Sequence, residues 1–422
     1  MTILRSRSLA AIIGAELVSL TGSSMTYVAL PWFVLVTTGS TARMGWVLAA
    51  ELVPVGLLGI PAGTLITRLG AKRTMNVADA ARIPVMSAIP ILHWTGHLTF
   101  PLLLACAFLL GCFMAPYYSS SRLILPEVLG NDETLVAQGS AFVQAGNQLT
   151  QLGGPILAGL LIAWLSAPAV LLIDAATYAF SFVVILLFVR AGKRVAPDES
   201  SRGLFAGLRY VVRDRVLGPM MAAAAFINFA AQGLIAMLPV LALRRFDGDP
   251  RIAGFFFAAF GAGALIGSLL AANVVRRVPL LKLAGIGILG MALPLWPLAL
   301  DPAWPVVVVL LAAFGFCSPL VNAPVLSILT VRPPEALRPK VITSVMTISV
   351  IIGPLGFLSV GQALQHVGLR VVFLAIAAAF TAGALAFSAA VRGGAAGAGK
   401  EEAHTCPAAD LAAVLPVEMR AD

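Results

Sequence analysis

Glu16 is an acidic residue inside a long apolar run, and the residue types that follow it can support proton exchange. Ser19, Ser23 and Thr26 come after it at spacings of three or four residues, which places the four side chains along one face of a helix. A stripe of this kind can line an aqueous cavity. Because burial disfavours the charged form of a carboxyl group, a glutamate there can bind and release protons. Glu16 is therefore our first candidate for a proton-carrying residue.

Other acids in apolar runs have competing interpretations. Glu51, early in the second run, can carry a proton or bind a cationic ligand, and an interfacial or ion-paired acid is the alternative. For Glu16 the alternative is a solvated position, or pairing with Arg5 or Arg7. Asp174, in the sixth run, is expected to cap a helix or to pair near the outer side. Glu51 is accordingly the second candidate for proton coupling.

A short basic turn, residues 63–73, separates the second apolar run from the third. Asp79 and Arg82 follow it three residues apart, so they fall on one helix face and can pair near one end of the third run. We predict that these charges form a network that closes the inner end of the molecule, since single exposed pairs contribute only about 0–1 kcal/mol each. The residues of this predicted inner gate and loop motif are Gly63, Arg68, Gly70, Lys72, Arg73, Asp79, Arg82 and Arg122.

Uncharged polar and aromatic side chains form a third group of candidates. On the fifth apolar run Gln144, Gln148 and Gln151 share one helix face, and further amides lie in the seventh and tenth runs. Such residues can line a cavity or make hydrogen bonds between helices. The predicted cavity residues are Ser19, Ser23, Thr26, Tyr27, Gln144, Gln148, Gln151, Asn228, Gln232 and Asn322.

The helices that carry these residues must lie in lipid. The chain is 59% hydrophobic and 11% charged, with a mean hydropathy of +0.96, a balance that does not suit a water-exposed surface. Backbone amides in lipid need internal partners, and apolar runs of about twenty residues satisfy them as helices. We predict an all-α integral membrane protein with twelve transmembrane helices, at about 9–36, 44–66, 75–93, 98–120, 138–165, 168–190, 217–243, 252–274, 280–299, 304–328, 341–365 and 369–391.

Basic residues concentrate in alternate loops between the apolar runs. This asymmetry follows the positive-inside rule and places both termini in the cytoplasm, with the Trp residues toward the other face. The net charge of +9 therefore reflects membrane topology, and we expect no nucleic-acid partner. The first run is too long for a cleaved signal peptide, so we expect a multi-pass protein of the inner (cytoplasmic) membrane.

Features of the first half recur in the second. A weaker copy of the basic turn begins at Gly267, and the pair Gly154-Pro155 recurs as Gly353-Pro354. Two similar six-helix bundles place a substrate cavity at their interface, near mid-membrane. The predicted organisation is an N-terminal half over residues 1–190, a cytoplasmic linker over 191–216 with an amphipathic helix at 204–212, a C-terminal half over 217–392, and a disordered cytoplasmic tail over 393–422.

The loop after the second run resembles a motif of the major facilitator superfamily. The matching positions are Gly63, Arg68, Gly70, Lys72 and Arg73. Thr67 stands where the family usually carries an acid, and this departure puts in question the charge relay that the acid anchors at the inner gate.

Two further stretches narrow the resemblance within that family. The fifth run resembles the antiporter motif of drug exporters through Gly153, Gly154, Pro155 and Gly159, a segment that is thought to seal one conformation against leak. The phrases at 116–122, 125–127 and 172–175 resemble the macrolide and enterobactin exporters among the twelve-span drug–proton antiporters. The resemblance implies a secondary active transporter that exports an amphipathic small molecule, such as a drug, an antibiotic or a siderophore-like metabolite, in exchange for protons.

Other classes of function find little support in the sequence. There is no P-loop to bind ATP, and neither the histidines nor the cysteines have metal-ligand spacing, so we expect no enzyme activity, no cofactor and no bound metal. The alternatives that remain are a proton-coupled importer of a small nutrient and a non-transporting sensor with the same fold. Importers often carry a basic residue mid-span to hold an anionic substrate. We find no basic residue near the middle of any predicted span, only Arg82 near one end, which favours export of a neutral or cationic cargo. The expected partners are the substrate, protons and membrane lipid, and we expect a monomer.

Overall fold

The computed structural model describes residues 7–129, 133–189, 204–214, 217–275, 277–334 and 337–404. Within these ranges the chain is helical, without β-strands, and short turns join most of the helices. Two sets of long helices flank one short linker helix. The predicted all-α fold is therefore confirmed.

The N-terminal half contains α1 (Arg7–Thr38), α2 (Thr41–Leu69), α3 (Ala71–Trp94), α4 (Phe100–Leu129), α5 (Glu133–Trp164) and α6 (Ala167–Phe188). The linker contains α7 (Leu204–Arg213). The C-terminal half contains α8 (Leu217–Arg245), α9 (Pro250–Val274), α10 (Leu280–Ala292), α11 (Leu295–Leu298), α12 (Trp304–Val331), α13 (Arg338–His366) and α14 (Leu369–His404).

Ten helical segments in the described ranges are long and apolar enough to cross a membrane. Helices α3 and α5 have the length but are more polar, because α3 carries charged residues and α5 carries amides. Helix α3 packs against α4 and α6, and α5 packs against α1 and α9, so both are held within the bundle. With α3 and α5 counted beside the ten apolar segments, six long helical segments precede α7 and six follow it.

The predicted span at 280–299 is not one continuous helix. It divides into α10 and the short α11, which begins directly after Pro294. Proline has no backbone N–H to donate and its ring clashes with the preceding turn, so a helix breaks or kinks there. The two pieces together still have the length and hydropathy of a span, from Leu280 to Leu298.

Glycine turns set the ends of the helices that carry the predicted gate residues. Gly39 and Gly70 have φ angles of 65° and 85°, which glycine adopts without steric cost. Ser40 then caps α2, because its side chain accepts a hydrogen bond from the backbone N–H of Arg43 at 3.3 Å. Gly70 both ends α2 and begins α3, so these two helices turn back on each other at a single residue.

The two halves meet along the helix pairs α2–α13 and α5–α9. At one end of the molecule both crossings bring glycine against glycine, Gly45 with Gly361 and Gly159 with Gly254. We call this the far end; the basic end is the opposite one, where Arg68, Lys72, Arg73 and Arg122 lie. Small residues allow helix backbones to approach closely, so the halves are closed tightly at the far end.

Two hydrogen bonds reinforce that closure between the halves. The Thr41 hydroxyl donates to the carbonyl oxygen of Gly361 at 2.9 Å, and the Gln365 amide donates to the Ser40 hydroxyl at 2.7 Å. Both bonds link the start of α2 to the last turns of α13. Among the described residues no ion pair joins the halves at this end, so its closure depends on backbone packing and neutral hydrogen bonds.

Two further predictions concerned the linker and the end of the chain. The amphipathic helix expected at 204–212 is present as α7, which packs against α8 and α13 of the C-terminal half. Helix α14 continues to His404, so residues 393–404, which we expected to be disordered, are helical; alanine, lysine and glutamate in this stretch favour helix. Residues 405–422 lie outside the described ranges.

Candidate functional site

A cavity of about 970 Å³ lies between the two halves, and helices from both line it. Its wall includes Glu51, Leu110 and Leu238 deep in the bundle and reaches Arg122 and Leu329 toward the basic end. None of the residues that close the far end contributes to it. The cavity therefore extends from the middle of the bundle toward the basic end.

The two walls of this cavity have different chemistry. The N-terminal half contributes the charged residues Glu16, Glu51, Arg82 and Arg122, with tyrosines between them. The described lining residues of the C-terminal half carry no charge and are mainly apolar. Representative side chains of this apolar wall are Ile227, Phe257, Phe260, Met291, Phe314 and Val321, with Asn228, Ser318, Asn322 and Ser349 as its polar members.

Glu16 lies on the cavity wall, although only 4% of its surface is exposed. The Ser121 side chain, on α4, is close enough to interact with its carboxyl group. The Oε2 atom has no hydrogen-bond partner among the described residues. The alternative partners suggested by the sequence, Arg5 and the side chain of Arg7, lie outside the described part of the chain. Glu16 is therefore a buried residue on the wall of the cavity.

Glu51 lies deeper in the same cavity and is half-buried on α2. Helix α4 approaches α2 closely at this level, because a Cβ on Gly111 would collide with the backbone carbonyl of Glu51. Tyr27 and Tyr118 are near enough to Glu51 to interact with it electrostatically. Both sequence candidates for proton coupling therefore face one cavity, at different depths.

The polar stripe of α1 contacts neighbouring helices as well as the cavity. The hydroxyls of Ser23 and Tyr178 are 3.1 Å apart, and Thr26 donates a hydrogen bond to Asp174. Ser19 is 1% exposed and does not line the cavity. The stripe therefore lies partly at the contact between α1 and α6. Ser23 and Thr26 take part in this contact and also line the cavity.

Asp174 does not line the cavity, but it contacts the polar stripe of α1 from behind the cavity wall. It is fully buried at the α1–α6 contact, where it accepts hydrogen bonds from Thr26 and, at 3.0 Å, from Thr177. A Cβ on Gly22 would collide with this cluster, so the glycine allows α1 to approach. In the sequence the phrase at 172–175 indicates only a family resemblance. Its position opposite the α1 stripe is a tertiary feature that spacing alone does not show.

Asp79 and Arg82 form a buried ion pair, at 0% and 3% exposure. The Arg82 guanidinium also lies between two aromatic rings, 4.1 Å from the centroid of Tyr117 and 4.3 Å from that of Tyr178. Such cation–π contacts strengthen when they are desolvated. Arg82 is the twelfth of the 24 residues of α3, so it lies midway along the helix, and the expected position near one end was wrong.

The other charges of the predicted inner gate do not converge with this pair. Arg68, Arg73 and Arg122 are exposed, and none of them makes an ion pair within the described ranges. The Lys72 ammonium donates to the carbonyl of Leu186 at 3.1 Å, which ties α3 to the end of α6. The turn predicted over residues 63–73 was too long, because Gly63 lies within α2, which continues to Leu69, and the chain turns at Gly70 alone.

An unpredicted carboxylate holds the start of α3. Oε2 of Glu127, on α4, accepts a hydrogen bond from the backbone N–H of Ala71 at 2.9 Å. A carboxylate at a helix N-terminus satisfies a free N–H and interacts favourably with the helix dipole. The phrase at 125–127 could have indicated this residue. Glu127 thus holds the turn between α2 and α3. This is the region in which Thr67 stands where the family usually carries an acid.

The glycines of the predicted antiporter motif have separate contacts. Gly154 packs against Thr21 and Ser24 of α1, whereas Gly159 packs against the start of α9 in the other half. A Cβ on Gly153 would meet no neighbouring atom within 4 Å. The carbonyl of Pro155 lies against Gly254. This segment of α5 therefore contacts α1 and α9 at once.

The predicted amides divide into two groups. Gln144, Gln151, Asn228 and Asn322 line the cavity, together with Tyr27, whereas Gln148 and Gln232 do not. Asn228 donates to the backbone carbonyl of Ser349, and Asn322 donates to the Ser318 hydroxyl at 3.2 Å. Gln232 instead packs beside Gly353 and Gly356 at the α8–α13 contact.

Comparison with known proteins agrees with this architecture. The sequence profile of the Major Facilitator Superfamily matches residues 12–357, with a second match over 225–410. A relative, the multidrug efflux pump Tap of Mycobacterium tuberculosis (strain ATCC 25618 / H37Rv), is 28% identical over 384 residues, which cover 87% of this chain and 89% of Tap.

Solved structures show the same fold at low sequence identity. The nucleoside transporter NupG has a TM-score of 0.76 and 14% identity, over 91% of this chain and 98% of NupG. A bacterial homologue of the human lysosomal transporter Spinster, in an inward-facing and unoccupied conformation, has a TM-score of 0.72 and 14% identity, over 92% of this chain and 97% of that one. The profile match, the helix order and the cavity between two halves agree: the chain is a multi-pass membrane transporter that belongs to the Major Facilitator Superfamily.

Proposed function

We propose that this transporter exports an amphipathic small molecule in exchange for protons, by alternating access. The observation that carries the proposal is the chemical asymmetry of the central cavity. Its N-terminal wall holds the carboxyl groups of Glu16 and Glu51, and its C-terminal wall is apolar. A molecule with a neutral or cationic polar part and an apolar body matches both walls.

The charges on the N-terminal wall favour such a cargo over an anionic one. Arg82 is the one basic residue midway along a lining helix among the described residues, and its charge is matched by Asp79. Arg122 lies at the basic end, away from the deep part of the cavity. An importer of an anionic nutrient would need a cation that is free to hold its substrate, and the ion pair with Asp79 occupies Arg82. The relative Tap, a multidrug efflux pump, supports export.

The orientation follows from the distribution of basic residues. If the basic end faces the cytoplasm, as the positive-inside rule indicates, both termini are cytoplasmic and the cavity opens to the cytoplasm. The far end, closed by Gly45, Gly159, Gly254 and Gly361, then faces outward. This is the state in which an exporter in the cytoplasmic membrane takes up its cargo. A monomer suffices, since both walls of the cavity come from one chain.

Glu16 is proposed as the main proton carrier, with Glu51 second. In the present state Glu16 is buried, and one of its oxygens has no partner among the described residues. A carboxyl group in such a place gains from protonation, because burial disfavours its charge. Exposure to the outer aqueous phase in the other state loads the proton, and cargo that binds beside the carboxylate competes with it.

The direct test is transport in inside-out membrane vesicles that contain the full-length protein. An imposed proton gradient, acid inside, is expected to drive uptake of a fluorescent amphipathic cation such as ethidium. A protonophore is expected to abolish that uptake, while vesicles without the protein supply the background. Uptake that is unaffected by the protonophore would contradict proton coupling, and uptake only in right-side-out vesicles would reverse the direction.

The orientation of the protein in the membrane can be tested separately, by labelling the two ends of one span. Lys282 is exposed at the basic end of α10, and Asp301 is exposed just after α11 at the far end. We expect a membrane-impermeant thiol reagent to label Asp301→Cys from outside intact cells, and Lys282→Cys only in inside-out vesicles. The opposite pattern would overturn the proposed topology.

A further inference from the structure

Most of the unpartnered polar atoms in the protein interior belong to one part of the N-terminal half. Within the described residues, eight buried side-chain atoms lack a hydrogen-bond partner, and seven of them are on α1, α3, α4 and α6. The eighth is Oδ1 of Asn147, on α5. The seven are Oε2 of Glu16, Oδ1 of Asn76, Oδ2 of Asp79, Nε of Arg82, and the hydroxyls of Tyr117, Ser120 and Ser181.

Contacts place five of these residues in one polar layer around Asp79, and the helical repeat places the other two, Asn76 and Ser120, one turn away from members of it. Its carboxyl group binds Arg82 through Oδ1 and has the Ser181 hydroxyl beside it. Tyr117 lies between this pair and α1, close enough to interact with Asp79, Ser19 and Glu16. Asn76 is one turn before Asp79 on α3, and Ser120 is one turn after Tyr117 on α4. All seven residues are at least nine-tenths buried.

Polar atoms in such a place need partners. A buried donor or acceptor without a hydrogen bond costs about 1–3 kcal/mol. The Ser181 hydroxyl is within reach of Asp79, and the Ser19 hydroxyl is within reach of Tyr117. The buried atoms of Asn76, Arg82 and Ser120 have no partner among the described residues and would each carry this penalty. Native interiors satisfy such groups with internal water, which typically makes about three hydrogen bonds at a polar site. The layer meets the polar requirement for water, and it reaches the cavity wall at Glu16 and Arg82.

We propose that this layer is a second proton-binding site, in which Asp79 takes up the proton and internal water connects it to Glu16. The inference rests on the proton coupling proposed above and extends it from the cavity wall into the N-terminal bundle. It gives Asp79 a role in coupling in place of the inner-gate role that the sequence suggested.

The transfer balances in charge and atoms. The O–H bond of the protonated Glu16 breaks, a proton moves through water, and a new O–H bond forms at Oδ2 of Asp79. Glu16 becomes a carboxylate and Asp79 becomes neutral, so the charge of the layer is unchanged. Arg82 then loses Asp79 as its counter-ion, and the Glu16 carboxylate becomes available to it across Tyr117.

The change of the Arg82 counter-ion from Asp79 to Glu16 can alter the contacts of α1, the helix that carries Glu16. Arg82 is held against the Tyr178 ring, and the Tyr178 hydroxyl is 3.1 Å from that of Ser23 on α1. A shift of Arg82 toward Glu16 therefore changes the contacts that fix α1 to α6. The titratable or charged groups that face Asp79 directly are Arg82 on α3 and Tyr117 on α4. Arg82 also faces Tyr118 on α4 and Tyr178 on α6. The carboxyl groups of Glu16 on α1, Glu51 on α2 and Asp174 on α6 interact with these tyrosines.

The test is infrared difference spectroscopy of the full-length protein in lipid vesicles after a change of pH, without any cargo. Protonated carboxyl groups and carboxylates absorb in separate regions of the spectrum, so each titrating group gives a distinct signal. Besides any signals from Glu51 on the cavity wall and from the buried Asp174, we expect two signals in the wild type, one from Glu16 and one from Asp79. Glu16→Gln should remove one and shift the other, while Asp79→Asn/Arg82→Gln, which leaves no unmatched charge, should remove the second. Asp301→Asn, at an exposed position, is the control and should leave both.

Two further variants keep the proposal falsifiable. Asp79→Glu should move the second signal without removing it, even if the double variant does not fold. Tyr117→Phe keeps the ring beside Arg82 but removes the hydroxyl, and it should slow the second signal after a pH jump. A spectrum in which neither Asp79→Glu nor the double variant alters any carboxyl signal would overturn the proposal. Failure of the export proposal would appear separately, as wild-type vesicles without proton-driven uptake.

Discussion

The two halves of this transporter share a helix order but present different surfaces to the cavity between them. The N-terminal half contributes carboxyl groups, two arginines and tyrosines, and it contains a buried polar layer. The C-terminal half contributes an apolar wall with a few amides and hydroxyls. A duplicated fold therefore does not imply a duplicated site. We interpret the first half as the part that couples transport to protons and the second as the part that supplies contact area for the cargo.

The largest effect is expected from Arg82→Gln, which leaves the Asp79 carboxylate buried without its partner. Removal of one member of a buried ion pair typically destabilises a protein by about 3–5 kcal/mol. We expect a clear loss of thermal stability in detergent for this variant, and much less for Asp79→Asn/Arg82→Gln. Equal stability of the single and double variants would show that the N-terminal half does not depend on this charge pair.

The second prediction concerns the contact by which the halves close. A Cβ on Gly159 would lie 2.8 Å from the carbonyl oxygen of Pro250, whereas Gly153 has open space around it. Overpacking of this kind typically costs about 1–3 kcal/mol. Gly159→Ala should therefore open the far end and raise the reactivity of a cysteine at Glu51 toward external thiol reagents. Gly153→Ala, from the same motif, is the matched control and should leave that reactivity unchanged.

A third prediction distinguishes the roles of the two cavity walls by comparing a cationic cargo with a neutral one. Phe260→Ala removes apolar surface from the C-terminal wall and should weaken binding of a cationic compound and its neutral isostere alike, by about tenfold. Glu51→Gln should weaken only the cationic one. Binding measured by fluorescence or calorimetry on the purified protein distinguishes the two patterns. If Phe260→Ala discriminated by charge, the division of roles between the walls would be wrong.

The smallest effect is expected at the basic end. Arg68 is exposed and makes no ion pair within the described ranges, and exposed charges contribute about 0–1 kcal/mol. Arg68→Gln should change the transport rate by less than Glu127→Gln, which loses the charge that caps α3. A larger loss of transport rate with Arg68→Gln than with Glu127→Gln would support the inner-gate network predicted from the sequence.

Much of the fold could be predicted because lipid imposes simple rules on sequence. The length of the apolar runs, the alternation of basic loops and the repeated glycine–proline pairs were sufficient to predict two six-helix halves. The break before α11 was missed, since Pro294 lies in a run whose hydropathy still indicates one span. The extent of α14 was underestimated because composition alone does not separate a helical extension from a disordered tail.

The site was less accessible to sequence reasoning. Glu16 and Glu51 stood out because an acid within an apolar run is rare. Spacing along α3 indicated that Asp79 and Arg82 could pair, but not that Tyr117 and Tyr178 from two other helices enclose the guanidinium. Asp174 and Glu127 were underestimated for the same reason. Their partners, Thr26 and the start of α3, are distant in the sequence and meet them only after the helices pack.

The central claim, that Glu16 couples transport to protons, is tested most directly by comparing uphill and downhill transport of one cargo. Vesicles that contain Glu16→Gln should lose accumulation driven by an imposed proton gradient, yet should still equilibrate the cargo down its own gradient, because the glutamine preserves the shape of the cavity wall. Asp301→Asn should behave as the wild type. If Glu16→Gln accumulates cargo against its gradient at the wild-type rate, Glu16 is not the proton carrier.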